Sequence, residues 1–162
     1  MDELDVDVDD GTAGGGVEWF DGFYRAQWSA MVRLAYVLVD DRSVAEDLVQ
    51  DAFARMFLAR GRVQDPVPYL RSAVYNACRN HHRNARSLLR RANQPRRSDE
   101  PASGDHVLDA VRRLRPERRA MVVLRYYCGL TDAEISAVID VPLGTVKSTL
   151  HRSLAELRKA LS

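Results

Sequence analysis

The chain has 162 residues, with 24 Lys+Arg against 23 Asp+Glu and a formal net charge of +1. That length holds one domain or two small ones, and it is too short for most enzyme barrels and doubly wound dinucleotide folds. No apolar run approaches the ~20 residues of a membrane span, and the acidic N-terminus lacks the basic and apolar segments of a secretory signal.

Residues 1–16 combine acids with a glycine cluster, a composition expected to be disordered. Helical periodicity starts near Trp19: Phe20, Phe23, Tyr24, Met31, Leu34, Ala35 and Leu38 share one face. Asp40 and Asp41 interrupt it. Ser43 is the expected N-cap of a second helix, with Glu46 three residues on to complete a capping box. Ala45, Leu48, Val49, Ala52, Phe53, Met56 and Phe57 form its apolar stripe. Residues 61–68 hold two prolines and a glycine and cannot be helical throughout. Pro68 suits the first turn of a third helix, in which Leu70, Ala73, Val74 and Ala77 face inward. Asn76, Arg79, Asn80, Arg83, Arg86 and Arg90 lie on another face. Tyr69 is expected to seat this helix in the core.

Residues 91–105 read as a linker. Beyond it, Val107, Leu108, Val111 and Leu114 form a short amphipathic helix. A helix from Pro116 carries Ala120, Val123, Leu124 and Tyr127 and closes at Gly129. Thr131 and Glu134 make a capping box for a helix with Ile135, Val138 and Ile139. Residues 140–144 read as a turn, and the last helix turns Val146, Leu150, Leu154, Leu157 and Leu161 inward. No segment alternates with the period of a strand. The expected fold is all-α, two small helical domains joined by a linker: 1–16 an acidic tail, 17–90 the first domain, 91–105 the linker, 106–162 the second.

The net charge of +1 conceals a segregation. Residues 1–24 carry eight acids and no base, residues 25–98 carry 14 arginines against six acids, and residues 99–162 are nearly balanced. Residues 71–98 contain eight arginines and no acid. Such asymmetry points to nucleic acid or another acidic partner, with a solvated helix face as the plainer alternative. The acidic tail either screens the basic face or simply solubilises the chain.

The segment from Thr131 to Arg158 has the pattern of a helix-turn-helix. On its second helix Thr145, Ser148, Thr149 and Arg152 share a face opposite the apolar stripe, with Lys147 beside them. Short hydroxyls suit base edges in the major groove, and Lys or Arg suit phosphates. An ordinary helical hairpin with a polar face is the alternative.

The text RRLRPERRAMVVLRYYCGLTDAEISAVIDVPLGTVKSTLHRSLAELRKAL resembles the fourth conserved region of bacterial RNA polymerase sigma factors. FYRAQWSAMVRLAYVLVDDRSVAEDLVQDAFARMFL, followed by PYLRSAVYNACRNHHR, resembles their second region. With these two regions alone, the chain resembles the extracytoplasmic-function (ECF) class of the sigma-70 family, over about residues 18–161. The resemblance implies that Glu46, Asp47, Leu48, Gln50 and Asp51 meet the β′ clamp of core RNA polymerase. It implies that residues 61–68 and the helix bearing Tyr69, Asn76, Arg79, Asn80, Arg83 and Arg86 open and read the minus-ten promoter element. Thr131, Thr145, Lys147, Ser148, Thr149 and Arg152 fall to the minus-thirty-five element, and the second domain to the β flap. Thr149 stands where many relatives carry Arg, and Tyr69 where the family often has Trp. An anti-sigma factor is a common partner of such proteins.

Other signals are weaker. Cys78, His81 and His82 lack a fourth ligand for structural zinc, so no metal or cofactor is expected. Glu46, Asp47 and Asp51 have no accompanying nucleophile or phosphate loop, so no enzyme activity is expected. Two solitary cysteines fit a reducing cytoplasm. Alternatives to a sigma factor are a stand-alone helix-turn-helix regulator and a sigma-like interaction adaptor.

Overall fold

Apolar residues at three- and four-residue spacing become helices throughout the computed structural model, which describes residues 12–92 and 105–162. The first group is α1 (Thr12–Val39), α2 (Arg42–Ala59), a 3-10 turn (Arg60–Arg62) and α3 (Pro66–Ala92). The second is α4 (His106–Arg113), α5 (Pro116–Tyr126), α6 (Asp132–Ile139) and α7 (Leu143–Leu161). No strand occurs among the described residues.

In the first group α1 packs along α2, and α3 lies on both. Phe53 is fully buried at the centre, with the ring centroids of Tyr24, Trp28, Phe20 and Phe23 4.6–6.2 Å away. Burying a phenylalanine contributes about 1.5–3 kcal/mol, and tilted aromatic pairs add roughly 0.5–1.5 kcal/mol each. Leu34, Val49, Met56, Leu70 and Val74 complete this core.

Two boundaries differ from the sequence reading. Residues 12–16 belong to α1 although three glycines oppose helix there. Once a helix is nucleated by a packed stretch, each added residue costs little. Residues 1–11 and 93–104, to which most of the acidic tail and linker expectations refer, lie outside the described residues. Asp41, not Ser43, caps α2: its carboxylate accepts from the Val44 N–H at 3.0 Å. The reason is Asp40, whose left-handed backbone (φ 59) turns the chain one step early and leaves Asp41 extended. Glu46 then accepts from Arg42 Nε at 3.0 Å instead of closing a box.

In the second group Val111, Leu114, Ala120, Leu124, Leu130, Ile135, Val146 and Leu150 are buried. Gly129 (φ 70) ends the turn after α5, as its position implied. The expected capping box of α6 is present: Glu134 N–H donates to Thr131 Oγ1 at 3.2 Å, and Thr131 N–H donates to Glu134 Oε2 at 2.7 Å. The Thr131 N–H and hydroxyl, both donating to this carboxylate, hold it below its ordinary pKa. The turn between α6 and α7 is shorter than expected, because Gly144 lies in the first turn of α7. Tyr127, Leu161 and Val107 are exposed rather than inward. Each sits at the end of its helix, where the packed face runs out.

The two groups touch. α6 packs on α3, and α4 and α5 pack on α1.

Candidate nucleic-acid interface

The basic face is built on α3. Its apolar residues Leu70, Val74, Tyr75 and Cys78 are buried, which turns Arg79, Asn80, Arg83, Arg86 and Arg90 outward into solvent. Twenty-seven residues of α3 contain no acid, so these guanidiniums have no counter-charge on their own helix. Arg79 lies over the Tyr75 ring, 5.9 Å from its centroid. Burial raises the Tyr75 hydroxyl above its usual pKa. Asn76 is half-buried beside this face. Tyr69 is 38 % exposed, which corrects the expectation that it seats the helix in the core. Leu70, the next residue, points inward, so Tyr69 falls on the side of α3 that carries Asn76 and Asn80.

Before α3 the chain outlines an open cavity of about 560 Å³, lined in part by Trp19, Met56, Arg60, Val63, Gln64 and Pro66. Arg60 is fixed at its rim. Its guanidinium sits 3.9 Å from the Phe57 ring centroid and donates to the Phe57 carbonyl at 2.6 Å. Trp19 stacks on Phe23 at 5.3 Å while nearly half of it stays exposed. The sequence reading did not find this cavity. The signal was present in an aromatic residue at the solvent edge of α1, but its meeting with the 60–66 loop is a tertiary fact.

In the helix-turn-helix, Thr145, Lys147, Ser148 and Arg152 are exposed on α7. Ser148 Oγ donates to the Thr145 carbonyl, and Arg152 Nε donates to the Ser148 carbonyl, each at 3.2 Å. Thr149 is corrected: it is only 8 % exposed and belongs to the buried stripe Val146–Thr149–Leu150–Ser153–Leu157. Helical geometry explains this. Position 149 lies three residues after Val146 and one before Leu150, both inward, so the packed face is wide enough to take it in. Thr131 is exposed, but its hydroxyl is engaged with Glu134, donating to Oε2 at 2.9 Å.

On α2, Ala45 and Val49 are buried and Leu48 is half-buried against the core, while Asp47, Gln50 and Asp51 are exposed. Gln50 accepts from the Tyr24 hydroxyl at 3.1 Å. The result is an acidic ridge beside a partly open leucine. Cys78 is buried, and desolvation pushes its thiol up to about 12; burial also raises Cys128. His82 Nε2 donates to the Leu38 carbonyl at 2.7 Å, and carrying that proton occupies this nitrogen. Among the described residues no three ligating side chains gather.

Comparison with known proteins gives this arrangement a family. Residues 23–88 match the family described as Sigma-70 region 2, and residues 105–157 match Sigma-70, region 4. The RNA polymerase sigma-E factor of Streptomyces coelicolor is 34 % identical over 152 residues, covering 88 % of this chain and 85 % of that protein. The chain belongs to the sigma-70 family. A second relative, the ECF RNA polymerase sigma factor SigL of Mycobacterium tuberculosis, is 26 % identical over 152 residues, covering 85 % and 86 %. The fold agrees with the sigma factor RpoE solved with the anti-sigma factor NepR from Bartonella quintana: TM-score 0.76 at 17 % identity, over 89 % of this chain and 97 % of that one. This is an ECF-type sigma factor, and it directs promoter-specific initiation of transcription. Sigma factors are initiation factors rather than enzymes. No helix among the described residues is long and apolar enough to cross a membrane.

Proposed function

We propose that this sigma factor docks on core RNA polymerase in the cytoplasm through two surfaces and reads two promoter elements with two others. The acidic ridge of α2, with Glu46, Asp47, Leu48, Gln50 and Asp51, meets the β′ clamp. Carboxylates beside an apolar side chain suit a basic helical partner, where charge sets orientation and encounter rate. The second helical group meets the β flap. The outward face of α3, with Tyr69, Asn76, Arg79, Asn80, Arg83 and Arg86, holds the melted minus-ten strand. The cavity edged by Trp19, Arg60 and Gln64 receives an unpaired base. Thr145, Lys147, Ser148 and Arg152 meet the minus-thirty-five duplex, with the α6 N-terminus at Thr131 against its backbone. An anti-sigma factor is a further partner, as one is of the RpoE relative.

The observation that carries this reading is the α3 face: a row of exposed arginines with amides between them and no acid. Unpaired DNA needs a cationic track for its backbone and a stacking surface for its bases. Melting then proceeds on binding energy, since unstacking costs a few kcal/mol per base and capture of the exposed bases offsets it.

Run-off transcription with purified core polymerase on a promoter library tests the reading. A promoter-specific transcript is expected, with an Asp47→Arg substitution weakening core binding in a pull-down. Folded protein that yields no specific transcript refutes it and favours a stand-alone regulator or an adaptor.

A further inference from the structure

Between Arg55 and Ala92 the chain holds nine arginines and one acid, Asp65. Arg55, Arg60 and Arg62 are exposed at the end of α2 and in the 3-10 turn, and Arg79, Arg83, Arg86, Arg90 and Arg91 are exposed along α3. Residues 1–11 hold six acids and no base. Opposite charge alone gives a loose attraction, which salt screens beyond about 8–10 Å. Two further features single out this segment.

One is its pattern. Against the helical periodicity of the rest of the chain, Leu4, Val6 and Val8 alternate with Asp5, Asp7 and Asp9. An extended backbone sends alternate side chains to opposite faces, with about 6.7 Å between neighbours on one face. In that form the segment carries carboxylates along one edge and apolar groups along the other. A single strand of DNA has the same layout, with phosphates along one edge and base faces to stack on the other.

The other feature is where the segment joins the fold. α1 begins at Thr12, and Gly16, about one turn on, lines the open cavity together with Trp19, Met56, Arg60, Val63 and Pro66. A Cβ added at Gly16 would stand 4.0 Å from Arg60 Nε, so the chain enters α1 beside that guanidinium. Eleven extended residues span up to about 36 Å. That is enough to cross the cavity and follow α3 from Pro66 to Arg79, about 20 Å at 1.5 Å per residue.

We propose that residues 1–11 fold back over this cavity in the free protein. Leu4, Val6 and Val8 lie against Trp19, Val63 and Pro66, while Asp5, Asp7 and Asp9 face Arg60, Arg62 and the arginines of α3. The segment stands in for unpaired DNA and competes with it. Tethering supports the contact, since a short linker gives an effective concentration in the millimolar range and a weak pairing is then well populated. Promoter DNA displaces the segment by bringing more charges and stacking bases to the same surface. The competition rests on the minus-ten reading above; the contact itself does not.

The test compares the full chain with two variants altered only before Thr12, which leave every residue of the helical core in place. One combines Leu4→Ser, Val6→Ser and Val8→Ser and keeps the charge of the parent. The other combines Asp5→Asn, Asp7→Asn and Asp9→Asn and keeps the apolar row. Acrylamide quenching of tryptophan fluorescence reads the contact, because Trp19 lines the cavity and is more exposed than Trp28. Anisotropy of a labelled single-stranded oligonucleotide at about 50 mM salt, where phosphate contacts are strong, reads the competition. Quenching is expected to rise in both variants. Single-strand affinity is expected to rise about three-fold or more in each, as it does when a third or less of the parent is uncovered. The serine variant decides the matter, since bulk charge cannot account for a change in it. Quenching equal in that variant and the parent overturns the docking. Quenching of the parent that rises on dilution assigns the cavity to the tail of a second copy and overturns the contact within one chain. More quenching without tighter single-strand binding overturns the competition. An oligonucleotide that binds none of the three proteins overturns it through the minus-ten reading, while quenching still decides the contact.

Discussion

Replacing Arg83 and Arg86 together by alanine separates an electrostatic role for α3 from a structural one. Both side chains are exposed at the rim of the cleft between α3 and α5 and neither belongs to the buried core, so their removal leaves the fold intact. Among the described residues, seven cations face the proposed DNA: Arg79, Arg83, Arg86, Arg90 and Arg91 on α3, and Lys147 and Arg152 on α7. Each phosphate neutralised contributes about 0.7 to the log–log salt slope on a single strand and about 0.9 on duplex, which gives this sigma factor a share near −5. Between 50 and 200 mM salt, a slope of that size is a loss of roughly 10³ in affinity. The double variant lowers the slope of the holoenzyme–promoter complex by about 1.4, so its share of the loss falls to roughly 10². The assay is filter binding or fluorescence anisotropy of holoenzyme on one promoter across that salt range, comparing parent and variant so that the polymerase's own contacts cancel. A variant that binds more weakly at every salt but with the parent slope refutes the argument, for it means the arginines act without meeting phosphate.

Phe53→Ala opens a cavity among four aromatic rings and is expected to cost about 3–5 kcal/mol, seen as a fall in Tm of roughly 6–20 °C. Thr149→Val is expected to leave promoter affinity within two-fold of the parent, because this side chain packs inward; a ten-fold loss in the same binding assay returns Thr149 to the DNA face. Cys78 makes the fold sensitive to alkali. Its folded thiol pKa is raised to about 12, so the unfolded chain loses its proton first. Stability is complete below the unfolded value near 8.5 and declines by up to ~1.4 kcal/mol per pH unit between there and 12. Urea melts at pH 8 and pH 10 check this, and Cys78→Ala removes that part of the decline.

Most of the architecture was legible because it rests on local rules. The stripe of α2, the Thr131–Glu134 box and the turn at Gly129 each depend on residues within one or two turns of one another, and each appears as read. The polar face of α3 was legible for the same reason: with Leu70, Val74 and Ala77 inward, helical geometry leaves little choice for Arg79, Arg83 and Arg86. The errors fall where one strip of chain answers to another. Thr149 looks like a recognition residue on a helical wheel, but α7 packs against α4, α5 and α6, and three neighbours widen its buried face. Ser43 has the right spacing for a cap, yet the left-handed turn at Asp40 hands the role to Asp41. Asp40 itself reads as a helix breaker. That it receives two arginines more than seventy residues away is visible only when the groups meet.

Asp40 and Asp140 show how the same local device serves two ends. Each follows a helix and adopts the left-handed backbone, at φ 59 and 60, where a short polar side chain is tolerated best among non-glycine residues. At Asp140 the turn closes on itself. Its N–H donates to the Ser136 carbonyl at 3.0 Å, and Ser136 Oγ donates to the Val141 carbonyl at 2.6 Å, so the angle between α6 and α7 needs no carboxylate. At Asp40 the N–H likewise returns to its own helix, donating to the Tyr36 carbonyl at 2.9 Å, but the carboxylate pairs with Arg112 and Arg119 of the second group. Asn keeps the backbone preference at both positions and removes the charge at both. Asp140→Asn is therefore expected to change stability by less than about 0.5 kcal/mol and to leave minus-thirty-five affinity and the radius of gyration unchanged. An expanded Asp140→Asn chain in small-angle scattering refutes the account of a turn that closes without its carboxylate.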